Sequence, residues 1–143
     1  MSSDKNVQWR DHAFTTAEVA RGAASLADAL QALKGAGGMV QRAHLGVSPE
    51  SIWLTKTGDW RLGGFGLALS IPAGQYGVAS PYFATEGQLG GELTGEPRLE
   101  YTSPELTKTG DRVAAPACDV FSLAILVNEV LTATVPYADA LCE

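Results

Sequence analysis

Four groups of residues that could take part in chemistry stand in order along the chain. His44 lies in a loop-like segment, and the tripeptide G-F-G at 64–66 closes two short apolar runs after it. S-P-E follows at 103–105, and Asp119 opens a long apolar run. Histidine and carboxylate side chains accept protons, and carboxylates are also ligands for Mg²⁺. Groups of this kind suit proton transfer beside a bound cation, if the fold brings them together.

The order and spacing of these groups resemble the C-terminal lobe of the protein-kinase fold, over roughly residues 15–137. Within that superfamily, "VSPESIWLTKTGDWRLGGFGLALS" is similar to the catalytic-loop and hairpin region of the Scy-like pseudokinases. "LEYTSPEL" resembles the end of their activation segment. The resemblance implies an α+β, mainly α fold: a partial kinase C-lobe with a helix, a catalytic-loop hairpin, a long activation-type loop and a buried central helix.

The resemblance also aligns the catalytic positions of a kinase with residues that lack their chemistry. In the kinase pattern, H-R-D-x-x-x-x-N precedes a hairpin and D-F-G. The positions of the proton-accepting aspartate, the loop lysine, the Mg²⁺-binding asparagine and the D-F-G aspartate are taken here by Gly46, Ser48, Ser51 and Gly64. Leu45 takes the place of the loop arginine. The family reading therefore implies degenerate catalytic positions and no metal site.

Two carboxylates remain near the loop, Glu50 and Asp59, but neither is at a required position. The family pattern makes Glu50 structural, and Asp59 belongs to a turn. A general base alone contributes about 10²–10⁴ in rate. Loss of the base together with the metal ligands predicts essentially no phosphoryl transfer, and hence a pseudokinase that is not an enzyme.

The residues that the chain keeps are structural anchors in the kinase pattern. His44 and Phe65 are expected to stack in the hydrophobic spine of the lobe. Asp119 is expected to accept hydrogen bonds from the catalytic-loop backbone, and Glu105 normally pairs with an arginine further along. Trp53 falls where a kinase has the floor of the adenine site. It either fills a vestigial nucleotide pocket or packs on the neighbouring strand, as aromatic residues in strands often do.

Local signals predict the elements that position these groups. Thr15 and Glu18 have capping-box spacing, and Gly35 suits a C-terminal cap. Between them a helix is predicted, with an apolar stripe at Val19, Ala23, Leu26, Leu30 and Leu33. The runs Ile52–Leu54 and Trp60–Leu62 flank "KTGD", which predicts a hairpin.

The remaining pattern predicts a long loop and a second helix. Residues Ser70–Glu100 are rich in Gly, Pro, Ser and Thr without a period, which is typical of a functional or disordered loop. From Asp119 to Thr132 apolar residues occur on nearly every face, which predicts a helix that is buried all round and ended by Pro136. The expected organisation is a flexible arm at 1–14, the partial lobe at 15–137 and a truncated tail at 138–143.

The amino-acid composition and net charge exclude several classes of protein. Hydrophobic residues make up 45% of the 143 residues, so a core is possible. A net charge of −6 argues against nucleic-acid binding. Two cysteines, no signal-peptide pattern and no apolar run of membrane-spanning length predict a cytoplasmic protein in a reducing compartment.

Three functions fit this sequence. The favoured one is a pseudokinase scaffold without cofactors that binds protein partners. The family resemblance implies trafficking or coat proteins as these partners, and vesicle trafficking near the Golgi or endosomes as the process. The alternative is a divergent serine/threonine kinase domain that binds ATP, weakly and without Mg²⁺, and transfers phosphate. The third is a truncated product without function of its own. The apolar helix from Asp119 further predicts that the isolated chain self-associates or folds loosely.

Overall fold

The structure is a computed structural model that describes residues 14–35, 40–79, 99–107 and 113–134. Within these ranges the chain is α+β, with two long helices and short paired strands. The helices and strands are α1 (Thr16–Lys34), β1 (Gln41–Ala43), β2 (Ile52–Leu54), β3 (Trp60–Leu62), β4 (Leu69–Ile71), β5 (Val78–Ala79), α2 (Pro104–Thr107), β6 (Val113–Ala114) and α3 (Ala117–Thr132). Short 3₁₀ turns occupy Pro49–Ser51, Phe65–Leu67 and Leu99–Tyr101.

Helix α1 begins and ends where its sequence signals predict. The Thr15 hydroxyl accepts a bond from the Glu18 N–H, and the Glu18 carboxylate accepts one from the Thr15 N–H, both at 3.1 Å. Gly35 ends the helix with a φ of 81°, and its N–H donates to the Gln31 carbonyl. The predicted capping box is confirmed, because both N-terminal donors have partners on the chain.

The hairpin β2–β3 packs its inner face on α1. Ile52 pairs with Leu62 and Leu54 with Trp60, and these four side chains turn inward. They join one core cluster with α1 and α3, whose buried members are Val19, Leu26, Val47, Ile52, Trp60 and Leu126. A second cluster lies around β1, β4 and β6 and includes Ala43, Leu45, Leu67, Ile71, Leu106, Ala114 and Cys118. The loop between β1 and β2 contributes to both clusters, so the core positions it.

The close packing of the Trp60 indole on α1 depends on Gly22. A Cβ atom at this position would lie 2.0–2.4 Å from atoms of the Trp60 indole. We expect Gly22→Ala to lower the unfolding free energy by about 1–3 kcal/mol, the usual cost of overpacking, even though alanine is the better helix former. Chemical denaturation measures the change, with Ser25→Ala on the exposed face of α1 as the control. A more stable Gly22→Ala protein would show that the two elements do not pack this tightly.

The segment 70–100 contains more structure than its composition predicts. Arg42 in β1 pairs with Ser70 in β4, and Val78 in β5 pairs with Ala114 in β6. The expectation of one long loop is therefore wrong at its start. Local composition does not show these strands because their partners lie far away along the chain. Residues 80–98, which hold most of the predicted loop, lie outside the described residues.

Helix α3 is apolar all round but buried on one side. Its buried residues are Cys118, Asp119, Ser122, Ile125 and Leu126. Val120 is 65% exposed and Leu131 54% exposed, so the prediction of a helix buried on every side is wrong for the described residues. The described elements pack on one face of α3 only. The helix ends at Thr132, and the next residue, Ala133, has a φ of 59°. Pro136, the predicted terminator, lies outside the described residues.

The predicted boundaries can be compared with the structure only in part. Residues 1–13 and 138–143 lie outside the described ranges. Phe14, assigned to the flexible arm, is partly buried and meets the Trp60 ring edge-on, with the ring centroids 5.3 Å apart. Among the helices of the described ranges, none has both the length and the apolar character that a bilayer crossing requires.

Candidate functional site

The loop between β1 and β2, residues 44–51, is held by one buried carboxylate on α3. The His44 N–H donates to Asp119 Oδ2 at 2.7 Å, and the Leu45 N–H donates to Oδ1 at 2.8 Å. Asp119 is 3% exposed, so both bonds lie away from water. Burial raises the pKa of Asp119, while its two N–H donors act in the opposite direction. The contact joins residues more than 70 positions apart and fixes the start of the loop.

The backbone at Leu45 is unusual for a residue with a side chain. Its φ is 62°, in the left-handed region that non-glycine residues seldom occupy. Such a conformation costs on the order of 1–3 kcal/mol and persists when the surroundings determine it. At Leu45, the hydrogen bond from its N–H to Asp119 and the burial of its side chain hold this conformation.

His44 joins the loop to the end of the hairpin. Its ring is fully buried. Nδ1 accepts from the Gly46 N–H at 3.1 Å, so Nε2 carries the proton and donates to the Gly63 carbonyl at 2.6 Å. Both nitrogens are thus used inside the protein. His44 acts as a structural link and is not placed to exchange protons with a substrate.

Phe65 contacts His44 but does not lie in the core. The two rings meet edge-on, with centroids 5.1 Å apart. Phe65 is nevertheless 53% exposed, so the expectation of a buried core position is wrong for the described structure. Its turn, Phe65–Leu67, buries Leu67 instead. One side of the Phe65 ring is open because the described elements pack only on the side that carries His44.

Gly46 and Gly64 stand at the two positions that the sequence resemblance aligns with the aspartates of a kinase. A Cβ atom on Gly46 would lie 3.3 Å from Leu67 Cδ1 and 3.6 Å from His44 Cε1, so a side chain fits after a small shift of Leu67. Gly64 has a φ of 65°, and a Cβ there would meet Ser51 Cβ at 3.2 Å. The structure therefore brings together Gly64 and Ser51, the two predicted positions of Mg²⁺ ligands.

The two loop serines serve the loop itself. Ser51 Oγ donates to the Ser48 carbonyl at 2.8 Å and accepts from the Ser48 N–H at 3.0 Å. Ser48 Oγ donates to Glu50 Oε2 at 2.9 Å. Across the described ranges, no group of three or more His, Cys, Asp or Glu side chains is arranged to hold a metal ion.

Trp53 lies on the outward face of the hairpin, opposite Arg61. It is 38% exposed, and its indole covers Gly63, where an added Cβ would lie 2.6 Å from Nε1. Through these contacts the Trp53 side chain packs on the hairpin. The alternative, in which Trp53 fills a nucleotide pocket, stays a prediction.

The S-P-E segment docks on α3 through contacts that sequence reasoning missed. Glu105 Oε1 accepts from Cys118 Sγ at 3.5 Å, and burial raises the pKa of this thiol. The Tyr101 hydroxyl donates to Glu129, and Ser122 Oγ donates to the Tyr101 carbonyl. The step of seven residues between Ser122 and Glu129 places both on one face of α3, and that spacing was the available signal.

Comparison with known proteins finds protein kinases. The serine/threonine-protein kinase PknL of Mycobacterium tuberculosis is 31% identical over 94 residues, covering 66% of this chain and 20% of that protein. The protein kinase domain-containing protein ppk32 of Schizosaccharomyces pombe is 24% identical over 128 residues, 90% of this chain and 16% of that protein. The mitosis inhibitor protein kinase SWE1 of Candida albicans is 30% identical over 87 residues, 61% of this chain and 6% of that protein.

These similarities support a kinase-like family, although no protein-family model matches the chain. The chain spans a fifth or less of the length of the relatives named here. They also correct one expectation. The prediction that the protein is not an enzyme is wrong, because relatives named as protein kinases point to a kinase. That prediction gave the altered catalytic positions more weight than the similarity of the remaining sequence.

Proposed function

We propose that this chain is part of a divergent serine/threonine protein kinase domain that transfers phosphate from ATP to a hydroxyl group of a protein. The observation that carries the proposal is the double hydrogen bond from the loop backbone at His44 and Leu45 to Asp119. This contact shapes the loop that would bear the reacting groups. The kinase names of its relatives support the same function.

The proposed domain assigns the described elements to a kinase C-lobe. Helix α1, the loop 44–51, the hairpin and α3 stand in the order that the C-lobe requires. The α+β architecture is compatible with this assignment. Phosphoryl transfer depends mainly on positioning and on stabilisation of charge, and little covalent chemistry falls to the protein. The shaped loop therefore supplies the part of catalysis that depends on positioning.

The residues at the altered catalytic positions affect the rate of the proposed reaction and the strength of ATP binding. Gly46 supplies no proton acceptor, and Gly64 and Ser51 supply no charged metal ligand. The proposed reaction is therefore slow, and ATP binds weakly with little help from Mg²⁺. The proton acceptor and the remaining groups that bind phosphate come from other positions in the domain. A protein with an accessible serine or threonine is the proposed partner.

Phosphate transfer by the purified protein tests the proposal. With labelled ATP and a generic protein substrate, we expect a low rate that follows the protein through purification. Gly46→Asp should raise the rate by about 10²-fold, the lower end of the contribution of a general base. Gly46 is not among the glycines with a positive φ, and a small shift of Leu67 admits the side chain.

Gly46→Ala is the matched control, since it adds the same Cβ without a carboxylate. It should leave the rate near that of the unchanged protein. No detectable transfer by the unchanged protein, and none by Gly46→Asp, would refute kinase activity.

The finer family and cellular assignments stay predictions. The names of the three relatives given above do not refer to vesicle trafficking, coat proteins, the Golgi or endosomes. The Scy-like assignment likewise depends on the loop and S-P-E resemblance alone. The proposal of kinase activity does not depend on either.

A further inference from the structure

We propose that Trp53 is a positioning residue for phosphoryl transfer, an inference that rests on the proposed kinase function. Its indole holds Gly63, and through Gly63 the G-F-G turn at 64–66, in a fixed position relative to loop 44–51. The sequence resemblance aligns the catalytic positions of a kinase with this loop and this turn. Because transfer requires the reacting groups to be held in the correct geometry, the relative position of loop and turn affects its rate.

Gly63 and Gly64 form the connection between the hairpin and the G-F-G turn. Glycine has more conformational freedom than any other residue, so two glycines in succession keep one conformation only when their neighbours hold them. Gly64 has a φ of 65° and begins the turn Phe65–Leu67. The direction in which the turn leaves the hairpin therefore depends on the contacts that fix Gly63.

The Gly63 backbone is bonded to loop 44–51 on both of its polar groups. Its N–H donates to the Ser51 carbonyl at 2.7 Å, and its carbonyl accepts from His44 Nε2 at 2.6 Å. His44 and Ser51 are both buried, so these partners are themselves held by the core. The two bonds fix the backbone of Gly63 relative to the loop.

The Trp53 indole occupies the space that a side chain at position 63 would take. A Cβ atom added to Gly63 would lie 2.6 Å from Nε1 and 3.0 Å from Cδ1 of the indole. The ring therefore contacts the Gly63 backbone and restricts its movement away from the two hydrogen bonds. Trp53 is 38% exposed and belongs to neither core cluster, so this contact can be removed without opening the core.

Hydrogen exchange of the purified protein tests the contact independently of catalysis. In Trp53→Ala, we expect the Gly63 amide proton and the His44 Nε2 proton to exchange about tenfold faster, which corresponds to the net contribution of one hydrogen bond. These two protons report the two bonds that fix Gly63. The amide of Leu26 in α1 should keep its exchange rate, because a general loss of stability is not expected.

Trp53→Phe and Tyr76→Ala are the matched controls. Trp53→Phe keeps an aromatic ring beside Gly63 and should leave exchange of the two protons near that of the unchanged protein. Tyr76→Ala removes an aromatic ring that is 78% exposed elsewhere on the surface, and it should also leave them unchanged. If Trp53→Ala has no effect on the two protons, or accelerates exchange at Leu26 equally, the positioning role is overturned.

Phosphate transfer by the Gly46→Asp protein tests the effect on the reaction. Adding Trp53→Ala should lower kcat by about 10²-fold, the effect of misplacing reacting groups by about 1 Å, with KM for ATP unchanged. Adding Trp53→Phe instead should leave kcat near that of Gly46→Asp alone. If Trp53→Ala lowers KM for ATP and leaves kcat unchanged, the indole fills a nucleotide pocket and the positioning role is overturned.

The two measurements separate failure of this inference from failure of the kinase proposal. If Gly46→Asp transfers phosphate equally well with and without Trp53→Ala, the role of Trp53 is overturned and the kinase proposal stands. If neither the unchanged protein nor Gly46→Asp transfers phosphate, the kinase proposal is overturned and the catalytic role of Trp53 with it. Faster exchange at His44 and Gly63 in Trp53→Ala would then show only that the indole holds Gly63.

Discussion

Asp119→Ala is expected to lower the unfolding free energy by about 2–6 kcal/mol and to release the start of loop 44–51. The substitution leaves the buried N–H groups of His44 and Leu45 without acceptors, and each such loss costs about 1–3 kcal/mol. Leu45 would also lose the contact that holds its positive φ. Chemical denaturation measures the stability, and hydrogen exchange at the His44 and Leu45 amides reports the release.

Asp119→Asn is the matched comparison for this effect. Its amide oxygen can accept one of the two bonds, while its NH₂ group faces the other donor. We expect its unfolding free energy to lie between those of the unchanged protein and of Asp119→Ala. Hydrogen exchange should be faster at one of the two amides. If Asp119→Ala costs less than about 1 kcal/mol, the carboxylate does not organise the loop as described.

Trp60→Ala is expected to lower the unfolding free energy by about 3–5 kcal/mol, the range for truncating a large buried aromatic side chain. Trp60 is 2% exposed and packs between Gly22 of α1, Phe14 and the apolar residues of the hairpin. Alanine leaves a cavity that α1 and the hairpin can close only in part. Chemical denaturation again measures the loss.

Trp53→Ala is the control for this substitution on the outward face of the same hairpin. Trp53 is 38% exposed, so its truncation should cost clearly less. A double variant adds a sharper test. In the Trp60→Ala protein, Gly22→Ala should no longer destabilise, because the indole that its Cβ would strike is gone. Additive losses from Gly22→Ala and Trp60→Ala would contradict the packing of the two residues against each other.

Local chemistry determined much of what the sequence predicted. The limits of α1 follow from the Thr15–Glu18 capping box and Gly35, which act over a few residues. The β2–β3 hairpin follows from two apolar runs around a glycine-containing turn. The kinase resemblance also implies that Asp119 binds the loop backbone, and the two hydrogen bonds from His44 and Leu45 are present.

Tertiary structure alone decided the features that depend on distant partners. The strands β4 and β5 exist because β1 and β6 pair with them, and no local pattern at 69–79 shows this. The exposure of Phe65 and of Val120 and Leu131 on α3 depends on which elements pack nearby, and an apolar side chain alone does not specify its own burial. The orientation of Glu50 by Ser48 is likewise a matter of loop geometry: the sequence lists a serine and a glutamate two positions apart, but only the folded loop directs the hydroxyl to the carboxylate.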